Sequence, residues 1–249
     1  MPREPRDSIT LPFNRRSLIA TNSGRLLLYV ACSALLLHTL LLLATKTSVG
    51  TLSAEHGPIE IAQVLILGLA GLALLIAARL SKSSQMVLIA ASAMLFCAAS
   101  REAEDWLATY LFDDAYKWFV CAPLILSVAV MAWRNRDSFL LQIERFAATP
   151  AGMMFSISIL FLGVYCQALD RTAFWPALES NASLGDQKMF IEETAELFGY
   201  VLLFFSSIEF VIASWKERSQ ITKSDLGLCL LTAKNQTEMT ENTSKADAA

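Results

Sequence analysis

Histidine, charged residues and paired cysteines are all scarce in this chain. Its two histidines, His38 and His56, are too few for a histidine-rich metal site. The five cysteines are odd in number and form no CxxC pair, so we interpret them as small buried hydrophobic side chains. Charged residues make up only 17% of the 249 residues, whereas an ordinary soluble domain carries about 25%.

Basic patches and familiar catalytic motifs are missing as well. The net charge is −3 and no basic stripe runs along the chain, so nucleic acid is not an expected partner. The sequence contains no nucleophile elbow, no HExxH and no phosphate-binding glycine loop. Without such a motif, the sequence leaves open whether the protein is an enzyme.

Long apolar runs are the feature that the sequence has in abundance. Hydrophobic residues make up 55% of the chain and the mean hydropathy is +0.47. Too few polar residues remain to coat a soluble core of this size. Runs of about 20 apolar residues are long enough to cross a bilayer as helices. The predicted fold class is therefore all-α, a polytopic membrane helix bundle with about six transmembrane helices in contact with the lipid bilayer.

The apolar runs divide the chain into a tail, a transmembrane domain and a second tail. Residues 1–24 are a polar N-terminal tail, residues 25–215 hold the helices, and residues 216–249 are a polar tail that we expect to be mostly disordered. The six helices are predicted at about residues 26–44, 58–78, 86–106, 117–133, 153–169 and 189–215.

Lysine and arginine are distributed unequally between the two sides of this predicted bundle. With the N-terminus in the cytoplasm, fifteen of the 20 basic residues lie in cytoplasmic segments and five lie on the other side. The positive-inside rule therefore predicts cytoplasmic N- and C-termini. The five basic residues on the outer side are Lys46, Arg101, Lys117, Arg171 and Lys188.

The stretch from Arg101 to Trp106 holds four charges in five residues, directly after the apolar run Met86–Ser100. As a helix that run is about 22 Å long, shorter than a hydrocarbon core of about 30 Å, so the charges are expected at the membrane edge. One arginine cannot neutralise three carboxylates, so a second cation, a proton or water must compensate the rest. A functional cluster and a solvated helix end are both open interpretations.

In the predicted topology, acidic residues from several helices reach the same outer level of the membrane. Carboxylates in the first turn of a helix, such as Glu60, Glu192 and Glu193, are also explained by the helix dipole, which favours them by roughly 0.3–1 kcal/mol. Glu196 lies one turn deeper than Glu192 on nearly the same face. The candidate polar pocket consists of Glu60, Gln63, Arg101, Glu102, Asp105, Glu192 and Glu196.

Three short patches of the sequence are similar to motifs of a known group. They are Gly57-Pro-Ile-Glu-Ile-Ala-Gln63, the Arg101–Trp106 stretch, and Glu192-Glu-Thr-Ala-Glu-Leu-Phe-Gly199. Over about a third of the chain they resemble a broad group of bacterial integral membrane proteins with Gly-Pro-x-Glu-x-x-Gln and acidic-pair-Trp motifs. Many members have glycine where this chain has Arg101. The resemblance implies a bacterial inner-membrane protein and supports the choice of acids, but it implies no activity.

Three functions compete for the acidic residues. Intramembrane carboxylates often mark cation or proton paths, so Glu102, Asp105 and Glu196 are candidates to bind or transport a cation, with Arg101 setting the charge balance. The same three acids are candidate ligands of a divalent cation in a membrane enzyme acting on a lipid or envelope substrate. The third alternative is a structural or accessory subunit in which the charges hold helices together.

Overall fold

The computed structural model describes residues 15–47, 52, 57–170 and 184–246, and within these ranges it contains helices and no strands. Five helices are long and apolar enough to cross a membrane, and a bent pair makes a sixth span if it is counted as one. The prediction of an all-α membrane protein with about six spans is therefore confirmed. The spans are Gly24–Lys46, Pro58–Leu80, Lys117–Arg134, Pro150–Leu169 and Gln187–Gln220, with Gln85–Glu102 and Glu104–Tyr110 as the bent pair.

Nine α-helices are present in the described ranges. In chain order they are α1 (Arg15–Lys46), α2 (Pro58–Leu80), α3 (Gln85–Glu102), α4 (Glu104–Tyr110), α5 (Ala122–Arg134), α6 (Arg136–Ala147), α7 (Pro150–Leu160), α8 (Gln167–Asp170) and α9 (Leu184–Ala246). Two π-helical stretches, Lys117–Cys121 and Phe161–Cys166, precede α5 and α8.

Helix α1 belongs to a compact unit of its own, Met1–Lys46, and the remaining helices form a second unit, Thr47–Ala249. Within α1 the hydroxyls of Thr39 and Thr45 donate to the carbonyls of Leu35 and Leu42, each at 2.8 Å. Bonds of this kind satisfy polar groups inside an apolar helix without a partner helix. The candidate site residues all belong to the second unit.

Helix α2 lies at the centre of the second unit and packs against both α3 and α9. It begins at Pro58, a residue suited to the first helical position because its missing N–H has no partner there anyway. A Cβ on Gly71 would lie 3.0 Å from the Phe96 ring of α3, and Ser92 Oγ donates to the Gly71 carbonyl at 2.8 Å. Small residues thus let α2 and α3 approach closely, as is common in membranes.

The helix predicted over residues 86–106 is in fact two helices, α3 and α4, whose axes differ in direction by 66°. The break falls at Ala103, whose N–H bonds to the carbonyls of both Ala99 and Arg101. A continuous helix would have carried Glu104 and Asp105 at its C-terminal end, where the dipole disfavours negative charge. In α4 the same two acids occupy the first turn, where the dipole favours them.

Helix α9 is 63 residues long and extends far beyond the predicted end at residue 215. The structure is helical as far as Ala246, in contrast to the mostly disordered tail predicted for residues 216–249. Polarity suggested that prediction, but the sequence offers few helix-breaking residues there. No proline follows Pro176, and Gly227 is the one glycine after Gly199.

The two ends of the second unit differ in character. At the basic end, where α2 stops and α3 and α7 start, Phe146 stacks on Phe210 with ring centroids 4.5 Å apart and meets Phe155 edge-on at 5.6 Å. Ser81 donates to Glu217 at 2.8 Å, which ties the end of α2 to α9. At the acidic end, where α2 and α9 start and α3 stops, the candidate residues lie.

Candidate functional site

Gln63 connects α2 to Glu193, which lies in the third turn of α9 because that helix begins at Leu184. Its side chain is fully buried, and its Nε2 donates to Glu193 Oε2 at 2.8 Å and to the Glu193 carbonyl oxygen at 3.2 Å. A backbone carbonyl can only accept, so this contact fixes which end of the amide faces Glu193. Gln63 Oε1 is therefore not the atom that contacts Glu193, and it has no hydrogen-bond partner among the described residues.

Glu102 connects α3 to α9 about two helical turns further along α9, at Tyr200. Tyr200 OH donates to Glu102 Oε1 at 2.9 Å, and an Arg101 guanidinium nitrogen lies 3.3 Å from the same oxygen. The Glu102 side chain is only 11% exposed, whereas that of Arg101 is 56% exposed. The arginine therefore reaches Glu102 from the surface, and the tyrosine reaches it from within the bundle.

Glu196 lies among the other acids of the acidic end. It interacts electrostatically with Glu102, Glu193 and Glu192, and with the Arg101 guanidinium. Among the described residues no basic side chain comes within ion-pair distance of Glu196 or Glu193. The like charges of these carboxylates consequently exceed the cations that the described part of the chain supplies.

Two further acids belong to the edge of this group. Glu192 Oε1 lies 3.3 Å from Lys188 Nζ, an ion pair across one turn of α9. Glu60, in the first turn of α2, interacts electrostatically with Glu102 and with Glu193. The candidates on α2, α3 and α9 are thus brought together, although they are far apart in sequence.

Asp105 differs from the other predicted residues because it lies on α4, beyond the bend. In a continuous helix Glu102 and Asp105 would lie on the same face. Because the helix breaks at Ala103, the two residues belong to different helices and no longer share a face. Its backbone carbonyl accepts the Thr109 hydroxyl at 2.8 Å. The neighbouring Glu104 approaches Tyr116, and burial together with this carboxylate raises the pKa of Tyr116.

Three buried side-chain atoms lack a hydrogen-bond partner in the described part of the chain, and all three are at the acidic end. They are Gln63 Oε1, Glu192 Oε1 and Thr194 Oγ1. The contact of Glu192 with Lys188 is an ion pair without hydrogen-bond geometry. Leaving a buried acceptor unpaired costs about 1–3 kcal/mol, so such atoms usually have a reason, for example a bound water, ion or ligand.

Tyr200 was missed by sequence reasoning, and Glu193 was attributed there to the helix dipole. Both are central to the observed geometry, because Tyr200 holds Glu102 and Glu193 holds Gln63. The spacing of Glu193, Glu196 and Tyr200 is i, i+3 and i+7, which places them on one face of α9. This helical spacing was the sequence signal that could have identified Glu193 and Tyr200 as site residues.

The acidic end contains many hydrogen-bond acceptors, but its described acids do not converge on one point as the ligands of a metal ion would. In the described ranges no three His, Cys, Asp or Glu side chains are grouped so that they could hold a metal ion. No protein-family model matches the chain, and no curated protein or solved structure gives a significant match.

Proposed function

We propose that this integral membrane protein binds a cation or a proton at the acidic end of its helix bundle, and that this end faces the outer side of a bacterial inner membrane. The observation that carries the proposal is the surplus of partly buried carboxylates over cations. Arg101 pairs with Glu102 and Lys188 pairs with Glu192, while Glu193 and Glu196 have no ion pair within the described residues.

Adjacent carboxylates in a low-dielectric environment cannot all remain charged unless a cation or a proton compensates their charge. Glu196 interacts with three other carboxylates, and like charges this close disfavour simultaneous ionisation. A bound cation or a proton relieves the repulsion. The groups that remain free to accept hydrogen bonds, including Gln63 Oε1, suit the same role.

The proposed orientation rests on the distribution of basic residues. Fifteen of the 20 lysines and arginines lie on the side opposite to the acidic end or in the terminal segments, and basic residues favour the cytoplasmic side. The resemblance to bacterial integral membrane proteins supports the same membrane. Both termini are then cytoplasmic.

A structural role is the second candidate, and the Tyr200–Glu102–Arg101 contact favours it. This contact satisfies one oxygen of Glu102 twice, at 2.9 and 3.3 Å, and ties α3 to α9. A network of this kind can hold helices together without any ligand. It does not explain the unpaired atoms near Gln63, which is why we rank it second.

Thermal unfolding of the detergent-purified protein tests the proposal. The protein is scanned against pH and against a panel of monovalent, divalent and organic cations at constant ionic strength. A ligand at about 100 times its dissociation constant adds roughly 2.7 kcal/mol to the free energy of unfolding. The variants are Glu196→Gln and Glu193→Gln, and Glu144→Gln is the matched control because Glu144 is exposed and lies at the basic end.

The expected result is a stabilisation by one class of cation, or by protons, that both cluster variants lose and Glu144→Gln keeps. A response that Glu144→Gln also loses would indicate a general charge effect and contradict a specific site. If neither pH nor any cation changed the stability of the wild type differently from that of the cluster variants, the structural role would replace the binding role.

A further inference from the structure

Resting on the proposed function, we propose that the ligand of the acidic end is an organic cation bearing N–H donors, such as a primary ammonium group, and that Gln63 Oε1 accepts one of its hydrogen bonds. This assigns a chemical class of ligand to the site. Gln63 Oε1 is a buried acceptor at the acidic end that has no hydrogen-bond partner among the described residues.

Gln63 is well suited to recognise a donor because its orientation is already fixed. The side chain is fully buried, and its Nε2 is committed to two oxygens of Glu193. Rotating the amide by 180° would place an acceptor against the Glu193 carbonyl, which also only accepts. Oε1 is therefore held as an acceptor, next to a carboxylate, without rotational freedom to find another partner.

The charge around this acceptor requires that the donor be positive. The Glu193 carboxylate accepts a hydrogen bond from Gln63 Nε2, and Glu196 interacts electrostatically with Glu193. Neither forms an ion pair within the described residues. A donor that reaches Gln63 Oε1 therefore enters a field of negative charge, which favours an ammonium over a neutral hydroxyl or amide group.

The spread of the acceptors favours an ammonium over a bare metal ion. A metal ion gathers several oxygens around one point, at about 2.0–2.6 Å from each, and the acids of the described residues are not grouped in that way. An ammonium has three N–H donors, and its bonds to acceptors are longer, about 2.7–2.9 Å. Its three donors can therefore serve acceptors that are not gathered around one point.

Glu102, a further carboxylate of the group, already has two partners at one of its oxygens. Tyr200 and Arg101 both approach its Oε1. Glu102 is therefore expected to position Tyr200 and to contribute charge, and not to be the first group that the ligand contacts. The ligand contacts are assigned to α2 and α9.

Calorimetric titration of the full-length protein in detergent, at pH 7 and constant ionic strength, tests this inference. The probes are n-butylammonium and n-butyltrimethylammonium, which carry the same charge but differ in that the second has no N–H donor. Sodium and magnesium chloride are the metal probes. The expected result is that n-butylammonium binds at least about tenfold more tightly than the quaternary probe. In Gln63→Met, which keeps the side-chain length without the acceptor, this difference should be largely lost.

The possible outcomes separate the failure of this inference from that of the proposed function. Equal affinity for both ammonium probes would show that the site recognises only the positive charge of the ligand. This result would overturn the role of Gln63 Oε1 as an acceptor. Tighter binding of sodium or magnesium would overturn the ligand class but leave a cation site. If no probe binds, and the stability of the protein is also insensitive to pH, both proposals fail. If Gln63→Met does not fold, the comparison of the two ammonium probes on the wild type still decides the question.

Discussion

The acidic and basic ends of the bundle are built largely from the same helices, yet they differ in how completely their buried polar groups are hydrogen-bonded. At the basic end several polar groups near the core have partners: Ser81 donates to Glu217, the Met86 N–H donates to Gln142, and Thr149 accepts the Gly152 N–H at the start of α7. At the acidic end the described residues include three buried atoms without a partner.

The three buried side-chain atoms without a partner in the described ranges all belong to the acidic end. Buried polar groups in native proteins are nearly always satisfied, and departures from local rules tend to concentrate at functional sites. The basic end shows that these helices can satisfy their polar groups. The atoms without a partner that are described at the acidic end support the proposed binding site.

The largest effect is expected from close packing at the basic end. A Cβ at Gly152 would lie 1.8 Å from the Phe146 carbonyl oxygen, so Gly152→Ala forces the backbone to move. We expect a loss of about 3 kcal/mol in the free energy of unfolding, measured by denaturant unfolding in detergent. In Gly199→Ala, the control at the acidic end, the Cβ would meet the Leu162 side chain at 2.5 Å, which can shift. A Gly152→Ala loss no larger than that of the control would contradict this packing.

At the acidic end the largest loss is expected from Arg101→Met. It leaves Glu102, which is only 11% exposed, without its cation. Breaking a fully buried pair costs about 3–5 kcal/mol; because Arg101 is more than half exposed, we expect about 2 kcal/mol. Arg101→Lys, which keeps the charge, should recover a substantial part of this stability. Equal losses in both variants would show that the charge does not stabilise Glu102.

A smaller difference should distinguish hydrogen bonds at the two ends. Ser81→Ala removes the bond to Glu217 and should cost about 1 kcal/mol, because the acceptor is charged. Gln63→Met removes both hydrogen bonds to Glu193 but also removes a buried oxygen that has no partner among the described residues. These effects offset each other, so we expect a change of about 0.5 kcal/mol or less in the absence of ligand. A larger cost for Gln63→Met than for Ser81→Ala would indicate that Oε1 is satisfied.

The smallest effect, and the one with opposite sign, is expected from Glu196→Gln without added ligand. Removing one carboxylate from a group that interacts with three others relieves repulsion. We expect a gain of about 0.5 kcal/mol at neutral pH and low salt that diminishes as salt is added. Glu144→Gln, on an exposed position, should leave the stability unchanged. A loss of stability in Glu196→Gln would mean that Glu196 has a cationic or donor partner.

The sequence predicts the class of fold well because span length and apolar composition are local properties. The start of α2 at Pro58 is equally local. The bend at Ala103 was not predicted, because the apolar pattern continues past it and the gain from moving Glu104 and Asp105 into a first turn depends on where the following helix goes. The length of α9 was underestimated, since polarity alone does not end a helix.

The candidate site was predicted in its residue types but not in its contacts. Gln63 and Glu193 are 130 residues apart, and Glu102 and Tyr200 are 98 apart. Their pairing depends on the order of helices around α2, which no local pattern contains. Asp105 was included because of its spacing from Glu102 on a helix that is in fact broken. Tyr200 was overlooked because the hydrophobic ring of a tyrosine is sufficient to explain its presence in an apolar helix.

A double-mutant cycle between Glu102 and Tyr200 tests most directly whether the acids of α3 and the face of α9 form one site. Glu102→Met, which removes the hydrogen-bond acceptor, Tyr200→Phe and the double variant are compared with the wild type by denaturant unfolding in detergent. The observed 2.9 Å hydrogen bond predicts a coupling energy of about 1 kcal/mol or more. Additive losses, within about 0.3–0.5 kcal/mol, would show that the two side chains do not interact and would contradict a shared site.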